Sequence, residues 1–307
     1  MTGRIAALLL ATTMFAAPAL AVDPPAKVLE GTAAQSGLIP LHVDRKAGRI
    51  IATLPAPDGE GISGRYIYTA SLETGLGSPA LGLDYALNTG SRLLVFRRVG
   101  KKVLAEIENP KFRAAGAPPH EQQGVRRSFA TSTIWMGDVA AEQPDGSFLV
   151  DLSSFVARDD LGIARALKEQ DGGDYKLVPE LSVADPNAAR DFPKNVELEA
   201  RLTFTSAKQG SEVDNIAPVT GNVSFVVRHS LIALPEPGYV PRRFDPRAGS
   251  FGTQIVDYAA PLGSPVVYEL ANRFRLEKTD PNAARSPVKQ PITFYVDSAA
   301  PEPVRTA

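Results

Sequence analysis

The chain has 307 residues, 44% apolar and 22% charged, which suits one or two folded domains and excludes wholesale disorder. Its 33 basic against 34 acidic side chains leave a formal charge of −1, too weak a basic field for nucleic-acid binding. Cysteine is absent, which excludes disulfides, thiolate metal sites and cysteine nucleophiles.

Residues 1–21 have the pattern of a secretory signal: Arg4, an apolar run from Ile5 to Ala17, then Ala19-Leu20-Ala21 as the small-x-small cleavage site. The run is too short and too interrupted by Pro18 to serve as an anchor. Export to the periplasm or the medium is expected, with no membrane span after cleavage.

Strand patterns follow one another from residue 38. Ile39, Leu41 and Val43 share a face, with His42 opposite and exposed. A turn at Asp44–Gly48 leads into Arg49–Leu54 as a hairpin. Arg65–Leu72 is a further strand. Gly75–Gly90 holds four glycines in sixteen residues and reads as a loop or interrupted strand. Leu93–Phe96 is an apolar run typical of a strand buried on both faces, and Val103, Ala105 and Ile107 share a face in the next. The local structure around Trp135 is not legible. Phe148–Val156 is a strand, and Asp159–Gln170 is the one convincing helix, with Asp159 as its cap.

Residues 196–205 alternate most cleanly, with Val196, Leu198, Ala200, Leu202 and Phe204 on the core face. Residues 223–234 repeat the theme. So do residues 264–277, where Val266, Tyr268, Leu270, Phe274 and Leu276 are expected on one face. The hexapeptide DPNAAR occurs at 185–190 and again at 280–285. An N-cap aspartate with proline at N1 predicts one helical turn in each copy. The pattern predicts a mainly β fold, an antiparallel sandwich or barrel-like sheets with one or two short helices. The expected divisions are 22–70 as a hairpin lead-in, 71–290 as a β-rich domain, and 291–307 as a separate terminal stretch.

Chemistry is scarce. Histidine occurs three times, at His42, His120 and His229. His120-Glu121-Gln122-Gln123-Gly124 begins like a helical zinc motif, but glycine stands where the second histidine belongs. Pro118 and Pro119 ahead of it predict a solvated loop. His229 lies on the apolar face of its strand and is expected in the core. No G-x-S-x-G elbow, phosphate loop or calcium loop is present, and Ser286–Lys289 matches S-x-x-K only by letters. Arg97, Arg98, Lys101 and Lys102 flank a hairpin turn as a solvated end. Asp159-Asp160 reads as a helix start rather than an acid/base pair. No catalytic, metal or cofactor-binding residue is assigned.

Several strings carry a resemblance when taken together in order. They include Gly75-Leu-Gly-Ser with Gly82-Leu-Asp84, Val150-Asp-Leu152 with Gly162-Ile-Ala-Arg165, and Phe192-Pro-Lys-Asn195. Further on are Arg228-His-Ser230, Leu234-Pro-Glu-Pro-Gly-Tyr239, Arg243-Phe-Asp-Pro-Arg247 and Tyr295-Val-Asp297. The set resembles the N-terminal, non-catalytic half of large exported bacterial zinc-dependent metalloproteases, which consists of domains of unknown function ahead of a metzincin-like catalytic domain. The resemblance implies a truncated region that supports or positions a protease domain, in cis or as a separate chain. It places zinc in that absent domain. It also implies that residues 291–307 are a linker and incomplete start of the protease domain, with 291–298 as its first strand. The alternative is a stand-alone envelope module binding peptide or glycan through the loops Gly75–Gly90 and Pro241–Gly252. An independent hydrolase would need a carboxylate site that no motif reveals.

Overall fold

The computed structural model describes residues 23–171 and 173–306, so the secretory segment at 1–21 lies outside the described residues. The strands are β1 (Ala33–Gln35), β2 (Leu41–Asp44), β3 (Arg49–Leu54), β4 (Ile62–Leu72), β5 (Arg92–Val99), β6 (Lys102–Ile107), β7 (Phe112–Arg113) and β8 (Ser132–Glu142). They continue as β9 (Phe148–Asp151), β10 (Lys176–Leu177), β11 (Val183–Asp191), β12 (Asn195–Thr205), β13 (Asn222–Ala233), β14 (Gly252–Asp257) and β15 (Val267–Ala271). The helices are short: α1 (Pro25–Val28), α2 (Pro119–Ser128), α3 (Ser153–Val156), α4 (Ile163–Asp171), α5 (Ser211–Ile216) and α6 (Glu302–Arg305). The protein is mainly β, as the alternating patterns predict.

The chain divides into two compact units. The first runs to Glu108 and resumes over Ser132–Leu234; the second holds Asn109–Thr131 and the chain from Pro235 onward.

A twelve-stranded antiparallel sheet builds the first unit, in the order β1-β2-β3-β9-β8-β6-β5-β4-β13-β12-β10, with β11 also paired to β12. The two ends of the path meet. Leu38 N–H donates to Phe192 O at 2.8 Å, Gln35 Nε2 donates to Ala189 O at 3.1 Å, and Asp191 N–H donates to Gln35 Oε1 at 3.1 Å. The sheet therefore curls back on itself until β1 and β11 lie side by side, joined by these three hydrogen bonds rather than by a strand ladder.

Helix α3 plugs the interior. Its Phe155 ring centroid lies 5.9 Å from Tyr68 on β4, 5.7 Å from Phe96 on β5 and 5.7 Å from Trp135 on β8. Such tilted and edge-on aromatic pairs each add about 0.5–1.5 kcal/mol beyond area burial. Around the plug, Leu198, Ala200, Leu202 and Phe204 of β12 and Val227 and Leu231 of β13 are fully buried. Trp135 thus belongs to a strand and packs inward, with Nε1 donating to Ser154 Oγ at 2.9 Å.

The Gly75–Gly90 loop folds inward, burying Leu81 and Leu83 in the same core. A Cβ at Gly75 would stand 2.6 Å from Tyr85 N and 3.0 Å from Leu83 O, both backbone atoms, so the turn requires glycine.

The second unit has a three-stranded sheet in the order β15-β14-β7, with β14 antiparallel to β15 and parallel to β7. The extended run at 242–244 lies along the far edge of β15, where Phe244 N–H donates to Glu269 O at 3.0 Å and Ala271 N–H donates to Arg242 O at 2.9 Å. Helix α2 carries Phe129 just beyond its end. That ring stacks on Phe112 of β7 at 3.9 Å, and Tyr258 tilts against it at 5.6 Å.

Five sequence expectations are corrected here. Phe148–Val156 is a strand only to Asp151; Asp151 Oδ1 accepts Ser153 N–H at 2.8 Å and Ser153–Val156 turns into α3. Residues 120–124 are helical, because Pro118 precedes the helix and Pro119 occupies its first turn, where a missing N–H is harmless. Gly124 weakens that helix by about 0.5–1 kcal/mol relative to alanine without breaking it. The DPNAAR copies form no helical turn. In both, the aspartate Oδ1 accepts the N–H two residues on, at 2.8 Å in Asp185–Asn187 and 2.9 Å in Asp280–Asn282. This local turn competes with the helix, and the first copy becomes a bulge in β11. In 264–277 only Val267–Ala271 is a strand, and Phe274 and Leu276 are exposed. His42 is half-buried, with Nε2 at 2.9 Å from Thr53 Oγ1 on the neighbouring strand.

Candidate functional site

Chemistry-bearing side chains gather in three places. The first is inside the curled sheet. His229 projects inward from β13 by strand alternation, and Tyr68 does so from β4, with Ala70 opposite His229 in the register. The Tyr68 hydroxyl lies 2.7 Å from His229 Nδ1 and donates to Asp160 Oδ2. With its one proton given to Asp160, the tyrosine oxygen is left to accept from His229 Nδ1–H, and the Val156 backbone also hydrogen-bonds the imidazole. Arg158 closes the chain, its Nη2 at 2.5 Å from Asp160 Oδ2 and its guanidinium 4.3 Å from the Phe155 centroid.

Burial sets the protonation of this network. Loss of hydration pushes the fully buried His229 down to about 4, with Asp160 opposing and Arg158 reinforcing that shift. Burial also drives the Tyr68 hydroxyl far up, and the Asp160 carboxylate adds to it. Asp160 feels burial in the raising direction, but the Arg158 and Tyr68 hydrogen bonds and the Arg158 charge hold it below the usual carboxylate range. Tyr68 and His229 are closed to solvent, so they cannot touch a substrate; the network ties α3 and the stretch before α4 to the sheet wall. His229 is thus the core histidine its strand face predicts. Asp159 also caps as expected, accepting Ile163 N–H at 2.7 Å and Ala164 N–H at 3.0 Å. Asp160, however, points into the buried network. Sequence reading missed that role because nothing local distinguishes its side chain from that of Asp159.

The second place is the outer face of β11–β13, a groove of about 490 Å³ lined by Asp185, Arg190, Phe192, Glu197, Glu199 and Arg228. Arg228 donates to Glu199 Oε1 at 2.8 Å and lies 3.2 Å from Glu73. Burial raises the Glu73 carboxyl, partly offset by Arg228 and reinforced by Glu199 and Glu197. Arg228 is thus paired with carboxylates across the strands, while Arg190 donates to the Asn187 and Ala189 carbonyls at 2.6 and 2.8 Å, so both cations of the groove are already engaged. The basic hairpin end is matched likewise: Arg97 pairs with Glu106 at 2.7 Å, Lys102 with Asp138 at 2.6 Å, and Arg98 with Glu142.

The third is an open cleft of about 520 Å³ within the second unit, lined by Ala114, Glu121, Gly124, Val125, Phe129 and Tyr258 among others. Below it, Asp257 is buried and accepts the backbone N–H groups of Ala115 at 3.0 Å and Ala259 at 3.1 Å. The strand β7, helix α2 and β14 thus share one aromatic floor.

Of the loops singled out in the sequence, Gly75–Gly90 turns its leucines into the core, and Ser78 Oγ donates to Glu212 Oε2 at 2.7 Å. Pro241–Gly252 is largely exposed, with Asp245 Oδ1 accepting Arg247 N–H at 2.9 Å. Among the described residues no group of three or more His, Asp or Glu is placed to hold a metal ion. No described helix is long and apolar enough to cross a membrane.

The fold defines a β-rich protein built on a curled, plugged antiparallel sheet with a small second sheet. The family described as a domain of unknown function, DUF5117, matches residues 87–279, well over half of the chain, and the chain belongs to that family. Comparison with the curated proteins and with solved structures gives no match.

Proposed function

We propose that this chain is a non-catalytic region that supports or positions the catalytic domain of an exported zinc-dependent protease, in cis or as a separate chain. The supporting observation is the segment 291–296. Phe294 and Tyr295 are 84% and 92% exposed, and no backbone hydrogen bond joins residues 291–296 to any other described residue. An extended, β-prone run with open backbone groups and apolar side chains on both faces suits a strand that completes another domain's sheet. The ordered strings from Gly75 to Asp297 point to the same partner.

Co-purification from the cell envelope tests this reading. The full chain is expected to retain a zinc-dependent protease domain, and a chain lacking 291–307 is expected to lose it. The chain by itself should cleave no casein; chelator-sensitive cleavage by the purified chain would overturn the reading. Export carries its own check: N-terminal sequencing of the envelope form should begin at Val22, and an intact Met1 in the cytoplasm would reject it.

A further inference from the structure

We propose that the cleft beside α2 in the second unit binds the guanidinium group of an arginine side chain presented by a peptide. Among the residues lining the cleft, Glu121 is the one that carries a formal charge. The rings of Phe129 and Tyr258 supply the apolar wall, and Tyr258 is 51% exposed. A carboxylate beside aromatic faces is complementary to a cation: the ring quadrupole and the charge attract the same group. A planar guanidinium stacks on a ring and still directs N–H groups at the carboxylate, which a compact ammonium cannot do.

The same unit already uses this chemistry with its own cations. Arg243 Cζ lies 3.4 Å from the Tyr268 centroid, Arg273 Cζ lies 5.1 Å from Tyr239, and Lys111 Nζ lies 5.7 Å from Phe112 at the far end of the aromatic stack. Among the described residues no such cation stands over Phe129 or Tyr258.

Gly124 supplies an independent observation. It sits inside α2, where glycine is weaker than alanine. A Cβ built there meets no atom within 4 Å, and its φ is not in the left-handed region. Neither backbone nor packing requires a glycine at 124. Gly124 lines the cleft, and the space beside it is open.

The test titrates the full chain with acetyl-Ala-Arg-Ala-amide and with the same peptide carrying citrulline, followed by NMR shifts of the Gly124 amide and the Tyr258 ring. The arginine peptide is expected to saturate and the isosteric neutral peptide to bind about tenfold more weakly or not at all. Glu121→Gln should weaken the arginine peptide about fivefold and leave the citrulline peptide unchanged. Gly124→Leu should abolish binding, and Gly124→Ala should raise the melting temperature while weakening binding. Equal affinity for both peptides, or full affinity in Glu121→Gln and Gly124→Leu, would overturn the proposal. So would no saturation at millimolar peptide. Guanidinium chloride competing as strongly as the peptide would remove the peptide from the assignment.

Discussion

The two units solve the burial problem to very different degrees. In the first, Tyr68, Phe96, Phe148, Phe155, Phe204 and Phe225 are fully buried around one plug, and the sheet closes through Gln35 and Leu38. In the second, the best-buried apolar residues are Ala114, Ile255 and Val256 at 6–8% exposure, while Phe251, Leu262, Phe274 and Phe294 are exposed. One unit is a core with a surface; the other is a thin sheet with much apolar surface uncovered. The contrast teaches that stability resides in the first unit and that the second offers surface for association.

Substitutions at the plug should break the comparison most sharply. Phe155 packs its ring against residues of four sheet strands and is 0% exposed, so Phe155→Ala should cost about 3–5 kcal/mol in urea unfolding. Phe294, 84% exposed, should change stability by less than about 0.5 kcal/mol on the same substitution. Equal effects would mean that the two regions do not differ as described.

Acid should act on the first unit through His229. Its folded value of about 4 lies below the ordinary 6.5, so the unfolded chain binds more protons between those two values. Stability is therefore fully present above about pH 6.5 and falls as pH drops through 6.5 to 4, by on the order of 3 kcal/mol. His229→Gln should flatten that slope in chemical denaturation at pH 7, 5.5 and 4, even if it lowers stability at pH 7. An unchanged slope in the variant would assign acid sensitivity elsewhere.

A smaller effect belongs to the Gly75–Gly90 loop. Gly75→Ala pushes a methyl against backbone at 2.6 Å, and the loop must move Leu81 or Leu83 to relieve it. A loss of about 1–3 kcal/mol is expected in thermal melts. A neutral result would mean that this loop is not part of the core.

The strands of the first unit were legible because one face is buried and the other wet. Period-two alternation in 196–205 and 223–234 translates directly into β12 and β13, with Val196, Leu198 and Phe225 inside. The same pattern in 264–277 misled, since in the thin unit an apolar residue at the right spacing has little to pack against. Phe274 alternates as a core residue and remains 62% exposed. The prolines ahead of His120 announced a loop but began a helix, because proline at the first turn forfeits nothing. The Tyr68–His229–Asp160 network joins three segments far apart in sequence, and no spacing rule reaches across such separations. The cleft beside α2 was equally hidden, since it needs Glu121 and Tyr258 in one place.

The smallest expected effect on stability is the most informative about the second unit. Ile292, Phe294, Tyr295 and Val296 are between 42% and 92% exposed, so removing residues 291–307 uncovers little that is now buried. The melting temperature should stay within about 2 °C, because a stability change below about 0.5 kcal/mol moves a domain of this size by no more than that. Solubility should rise, since an extended apolar run with open backbone groups promotes association between copies. If 291–296 were instead an integral strand of a self-sufficient module, its deletion would expose the partners it covers. Each apolar side chain so released costs about 1.5–3 kcal/mol, and the melting temperature would drop sharply. A sharp drop would move the second unit into the class of the first and favour the stand-alone binding module over a support for a protease domain.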